Sequence, residues 1–188
     1  WVTFERHGLD AALAEAHGAQ TAARQAGFPE VAAAAAAQEG TLRARAGELD
    51  AAWRALSAVD TAALTDEDRM RTLMNRGTLA SELRRLDEAT ADLAEAAELA
   101  AAVGAAPLEF MARHNLGWVQ FVRGDLPAAL AAMTRADDLE VPLDRTVARL
   151  DRARVLLEAG LIPEARELLL SIAPPRGFGQ ARAELDHE

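Results

Sequence analysis

Residues 110–142 read FMARHNLGWVQFVRGDLPAALAAMTRADDLEVP, and this stretch decides the fold. Apolar and small residues recur at helical spacing in two blocks, broken at Gly124-Asp125. With Phe110 as position 1, Asn115, Leu116 and Gly117 fall at 6, 7 and 8, Gly124 at 15, Ala129 at 20 and Ala136 at 27. Glycine at position 15 can take φ > 0 and stop the first helix without a Cβ clash. Small residues at 8, 20 and 27 let two helix backbones approach to about 8–10 Å. The stretch therefore reads as an antiparallel helical hairpin.

The same register recurs along the chain. From Met70, Asn75 is position 6, Gly77 position 8, Ala89 position 20 and Ala96 position 27, while Arg84 stands where the turn glycine is expected. From Ala33, Gly40, Gly47 and Ala52 fall at 8, 15 and 20, and from Thr146, Ala153, Gly160 and Ala165 do so. Positions 17 and 24 carry Leu49 and Leu56, Leu86 and Leu93, Leu126 and Met133, Ile162 and Leu169, which are expected to fill the seams. The starts are 37, 40 and 36 residues apart. Helices are expected near 9–26, 29–46, 49–60, 66–85, 87–103, 107–123, 126–139, 144–159 and 162–171, with boundaries good to about 2–4 residues. Thr65 followed by Asp66, Glu67 and Asp68 reads as a helix N-cap, and Pro29 and Pro107 as helix starts.

This pattern resembles the tetratricopeptide repeat, a unit of about 34 residues. The resemblance implies an all-α, right-handed αα-superhelix, a solenoid of antiparallel helix pairs. The expected units lie near 33–62, 70–104, 110–142 and 146–173, with partial units near 1–28 and 179–188. An array cut at both ends implies a fragment of a longer protein. The segments HNLGWVQFVRGDLPAALAAMTRAD and LDRARVLLEAGLIPEARELL also resemble arrays that precede caspase-like CHAT domains in actinobacteria.

Composition excludes several function classes. The chain has 188 residues, 46 of them alanine, and no cysteine, so a disulfide scaffold, thiolate zinc site and cysteine nucleophile are excluded. All 20 basic residues are arginine against 30 acidic ones, and the formal charge of −10 argues against nucleic acid. The longest apolar runs fall far short of the ~20 residues that span a bilayer, and no signal peptide is visible, so a cytoplasmic location is expected. Abundant Ala, Arg and Gly without lysine suggests a GC-rich bacterial genome. The four histidines form no H-E-x-x-H pair, the serines lack a G-x-S-x-G setting, and no nucleotide-binding glycine motif occurs. No catalysis, metal or cofactor is expected.

In the family that the chain resembles, first helices line the concave side, and positions 2, 5, 6, 9, 12 and 13 form one stripe at helical spacing. The stripe offers Arg71, Asn75 and Thr78 in one unit, His114, Asn115, Trp118 and Phe121 in the next, and Asp151 and Arg154 in the third. The resemblance implies that Asn75 and Asn115, both at position 6, bond the backbone of an extended peptide. The alternative is that each bonds its own or a neighbouring helix. Trp118 and Phe121 are either interface anchors or ordinary core. The family's carboxylate clamp is not intact without lysine, although Arg71, Arg149, Arg152 and Arg154 could bind an anion. Arg154 is also expected to pair with Glu158 one turn on.

The function expected is therefore a protein- or peptide-binding regulatory scaffold. The alternatives are the sensor array of a large transcriptional regulator binding a small effector, and an architectural array. Homo-oligomers could form through exposed terminal repeats.

Overall fold

The computed structural model describes residues 2–172, which hold helices and no strand. They are α1 Val2–Gln25, α2 Pro29–Arg45, α3 Leu49–Ser57, α4 Asp66–Glu82, α5 Leu86–Ala102, α6 Ala106–Arg123, α7 Leu126–Asp137, α8 Thr146–Glu158 and α9 Ile162–Ser171. The helix starts follow from local chemistry. The Thr65 hydroxyl accepts the Asp68 N–H at 3.1 Å, and the Asp125 carboxylate accepts the Ala128 N–H at 3.0 Å. Pro29 and Pro107 sit in the first turns of α2 and α6.

Several boundaries differ from the sequence reading, among them those of α1, α3 and α8. Helix α1 begins at Val2 and is broken at Gly8 (φ 82°, ψ −177°). Helix α3 ends at Ser57, short of the expected 60, and a separate 3-10 turn, Thr61–Ala63, follows it. Asp60 favours that turn by accepting the Ala62 N–H. Helix α8 starts at Thr146 rather than 144. The connection at 173–179 and the partial unit near 179–188 lie outside the described residues.

The helices pair into hairpins through one repeated turn. At Gly47, Gly124 and Gly160 φ is 81°, 90° and 74°. The next N–H in each case reaches back to a carbonyl one turn earlier: Glu48 to Arg43 O, Asp125 to Gln120 O, Leu161 to Leu156 O. Arg84 takes the same left-handed conformation (φ 61°), and Arg85 donates to Ala80 O at 2.8 Å.

Within the α2–α3, α4–α5 and α6–α7 hairpins a small residue meets a large one sixteen places on. A Cβ at Gly40, Gly77 or Gly117 would lie 2.5, 2.8 or 2.7 Å from Cγ of Leu56, Leu93 or Met133. Ala52, Ala89, Ala129 and Ala165 are fully buried. Between hairpins the stacking is equally regular. Leu42 packs with Ala12 and Ala16, Leu79 with Ala52 and Leu56, Val119 with Ala89 and Leu93, and Val155 with Ala129 and Met133. Each of these four inserted side chains is buried, worth about 1.5–3 kcal/mol apiece. Ile162 and Leu169, expected in a seam, are instead 59% and 41% exposed, because no further hairpin packs on α9 among the described residues.

The stack curves toward its first helices. Successive first helices α2, α4, α6 and α8 touch one another. None of α1, α3, α5, α7 and α9 has a Cα within 8 Å of another of that set. The first helices therefore lie on the shorter, inner arc of an α-solenoid.

Candidate functional site

The inner arc carries a repeated polar contact between units. The Thr41 hydroxyl donates to Ala37 O at 3.0 Å, and the Thr78 hydroxyl donates to Met74 O at 2.8 Å. Each threonine oxygen then accepts from the asparagine of the following first helix: Asn75 Nδ2 lies 3.2 Å from Thr41 Oγ1, and Asn115 Nδ2 lies 3.3 Å from Thr78 Oγ1. Neither asparagine side chain has another hydrogen-bond partner among the described residues. Each amide is thus oriented by its neighbour while its Oδ1 and second N–H stay unused.

The third junction is built differently. His114 Nε2 lies 3.1 Å from Asp151 Oδ2, and its ring stacks on Phe110 with centroids 6.2 Å apart. Trp118 and Phe121 meet at 5.1 Å between centroids, tilted by 45°. Both are half-buried and pack on the cluster of Ala129, Met133 and Val155. The Arg154 guanidinium covers their outer side, 5.6 Å from the Trp118 centroid and 5.7 Å from that of Phe121. It does not pair with Glu158, contrary to expectation: the carbon of the guanidinium is drawn back over the rings of α6.

The other arginines considered for an anion divide by their partners. Arg71 is bound by Glu67 at 2.6 Å, and Arg152 by Asp137 at 2.6 Å and Thr134 at 3.1 Å. Arg149 lines a surface cavity with Glu140, Pro142 and Asp144. Nearby, Arg76 grips Asp92 through two bonds of 2.7 Å within the α4–α5 hairpin. That hydrogen-bonded carboxylate favours the charged form of Arg76 despite burial. Sequence reasoning missed this pair and the role of Thr41. The signal for the threonines was present, since Thr41 precedes Asn75 by 34 residues and Thr78 precedes Asn115 by 37. Among the described residues no group of His, Asp or Glu is placed to hold a metal ion, and no helix is long and apolar enough to cross a membrane.

No protein-family model matches the chain, and no curated protein does. Two crystal structures of a putative kinesin light chain of Podosopora anserina, with nearly identical TPR-like repeats, are similar to it. One, a point variant of that protein, has a TM-score of 0.73 at 17% identity, covering 89% of this chain and 86% of that one. The other has a TM-score of 0.71 at 15% identity with the same coverage. The likeness extends along the array and shows a TPR-like repeat fold.

Proposed function

We propose that this TPR-like array is a protein- or peptide-binding scaffold that holds an extended segment of its partner along the inner arc. Asn75 and Asn115 each offer one acceptor and one donor, the complement of a peptide group. Neighbouring first helices in such stacks lie about 8–10 Å apart, and three residues of a chain extended as polyproline II complete one turn over about 9 Å. One asparagine can therefore serve the backbone of every third peptide residue, while Trp118 and Phe121, beneath Arg154, back the surface beyond the amides. The chain works by binding rather than catalysis. Its units near 33–62, 70–104, 110–142 and 146–173 belong to a longer bacterial protein of the cytoplasm, where the array docks a partner for a neighbouring caspase-like domain.

The observation that carries this reading is the pair of threonine-held amides, each with unused donor and acceptor on the inner arc. Binding is tested with a double variant, Asn75→Ala with Asn115→Ala. Loss of at least one hydrogen bond per asparagine, about 0.5–1.5 kcal/mol each, predicts a loss of partner affinity of about tenfold or more, with the helical content unchanged. Undiminished affinity in titration calorimetry against a partner isolated by pulldown with the full chain would remove the ladder.

A further inference from the structure

The structure carries a more specific statement about what the peptide presents, and it rests on the reading above. We infer that the inner face of α8 takes a neutral aromatic side chain of the bound peptide, stacked on Arg154.

Arg154 lies on one helical stripe with Val147, Leu150 and Leu157, at i, i+3, i+7 and i+10. Those three apolar residues are 70%, 47% and 47% exposed. The guanidinium has its inner side over Trp118 and Phe121, and Arg154 as a whole is exposed. It makes no ion pair among the described residues, although the chain carries 30 acidic residues and eight other arginines hold carboxylates. Asp151 is engaged by His114, and Glu158 is not engaged with Arg154.

Charge decides the class of ligand. A carboxylate would gain Arg154 but arrive between Asp151 and Glu158 and beside two leucines, and drawing the guanidinium to it would undo the contact with Trp118 and Phe121. A lysine or arginine would meet Arg154 itself. A flat uncharged ring meets neither penalty. It covers the open face of the guanidinium, which then lies between ligand ring and protein rings, and its edges rest on Leu150 and Leu157.

The test uses fluorescein-labelled nonapeptide pools, acetylated and amidated, with Ala, Ser, Gly, Asn and Gln mixed at every position except the fifth. The fifth is fixed as Trp, Leu, Glu or Lys, and affinity for the full chain is read by anisotropy. The Trp pool is expected to bind about fivefold or more tighter than the Leu pool, and the Glu and Lys pools more weakly still. Arg154→Met keeps the aliphatic stem and removes the guanidinium. It is expected to bring the Trp and Leu pools within about twofold of each other, while Asn115→Ala weakens all pools alike. A Glu pool that binds best, or a Trp preference that survives Arg154→Met, overturns the inference and leaves the amide ladder standing. If no pool binds, the extended-peptide reading falls together with it.

Discussion

At the scale of single residues, the helical glycines set helix propensity against packing. Gly18 lies inside α1 with nothing within 4 Å of where its Cβ would be. Gly117 lies inside α6, and its Cβ would meet Met133 Cγ at 2.7 Å and Ala129 O at 3.0 Å. Glycine to alanine in a helix gains about 1 kcal/mol. Gly18→Ala is expected to gain that amount in full. At Gly117 the new methyl group presses on a backbone carbonyl that cannot move away. Overpacking of about 1–3 kcal/mol then outweighs the gain, and Gly117→Ala is expected to lower stability. Urea unfolding of the two variants, followed by circular dichroism, checks the opposite signs. Two stabilised proteins would mean that the α6–α7 seam is not closely packed.

At the scale of elements, the hairpin turns share one conformation but not one residue. Gly47, Gly124 and Gly160 reach positive φ freely, whereas Arg84 does so with a Cβ. The same backbone hydrogen bond closes all four, so the fold demands the conformation and the α4–α5 turn tolerates its strain. The Arg84 side chain makes no ion pair among the described residues. Arg84→Gly is therefore expected to stabilise the chain by about 0.5–1 kcal/mol, relief of left-handed strain less the added freedom of the unfolded chain. Arg84→Ala, which keeps the Cβ, is expected to leave stability nearly unchanged. Thermal melts of the two variants distinguish relief of strain from loss of the guanidinium. The Arg76–Asp92 pair in the same hairpin shows why a second helix can bury a carboxylate: its two bonds at 2.7 Å offset the loss of water.

At the scale of the whole molecule, each hairpin is held chiefly by its neighbours, so local chemistry at one junction has a local effect. The α1–α2 junction contains Glu39, which joins His17 of α1 at 2.7 Å and Arg43 of its own helix at 2.9 Å. Burial raises the carboxyl pKa, but hydrogen bonds from Arg43 and His17 outweigh it and hold the value below its usual 4.5. A folded pKa below the unfolded one adds stability that is complete above pH 4.5 and is lost as pH falls through the folded value. Amide exchange in α1 is therefore expected to lose protection before α4–α7 as pH is lowered through that range. Glu39→Gln should remove most of this difference. Hydrogen exchange read by mass spectrometry, corrected for intrinsic rates, checks it; uniform loss along the array would contradict a locally held stack.

The sequence by itself determined the helices, their antiparallel pairing and the phase of the repeat. Periodicity, turn glycines and small residues are local signals, and a helix built from them has one face to bury. It also placed Asn75, Asn115 and Arg154 on one stripe of their helices, since the stripe follows from 3.6 residues per turn. It did not mark Leu42, Leu79, Val119 and Val155 as the side chains that join one hairpin to the next. Nor did it decide what each stripe residue touches. Whether Arg154 turns to Glu158 or lies over Trp118 and Phe121 depends on how closely α8 approaches α6. That approach is fixed by packing between residues far apart in the chain, and so only the tertiary structure could decide it.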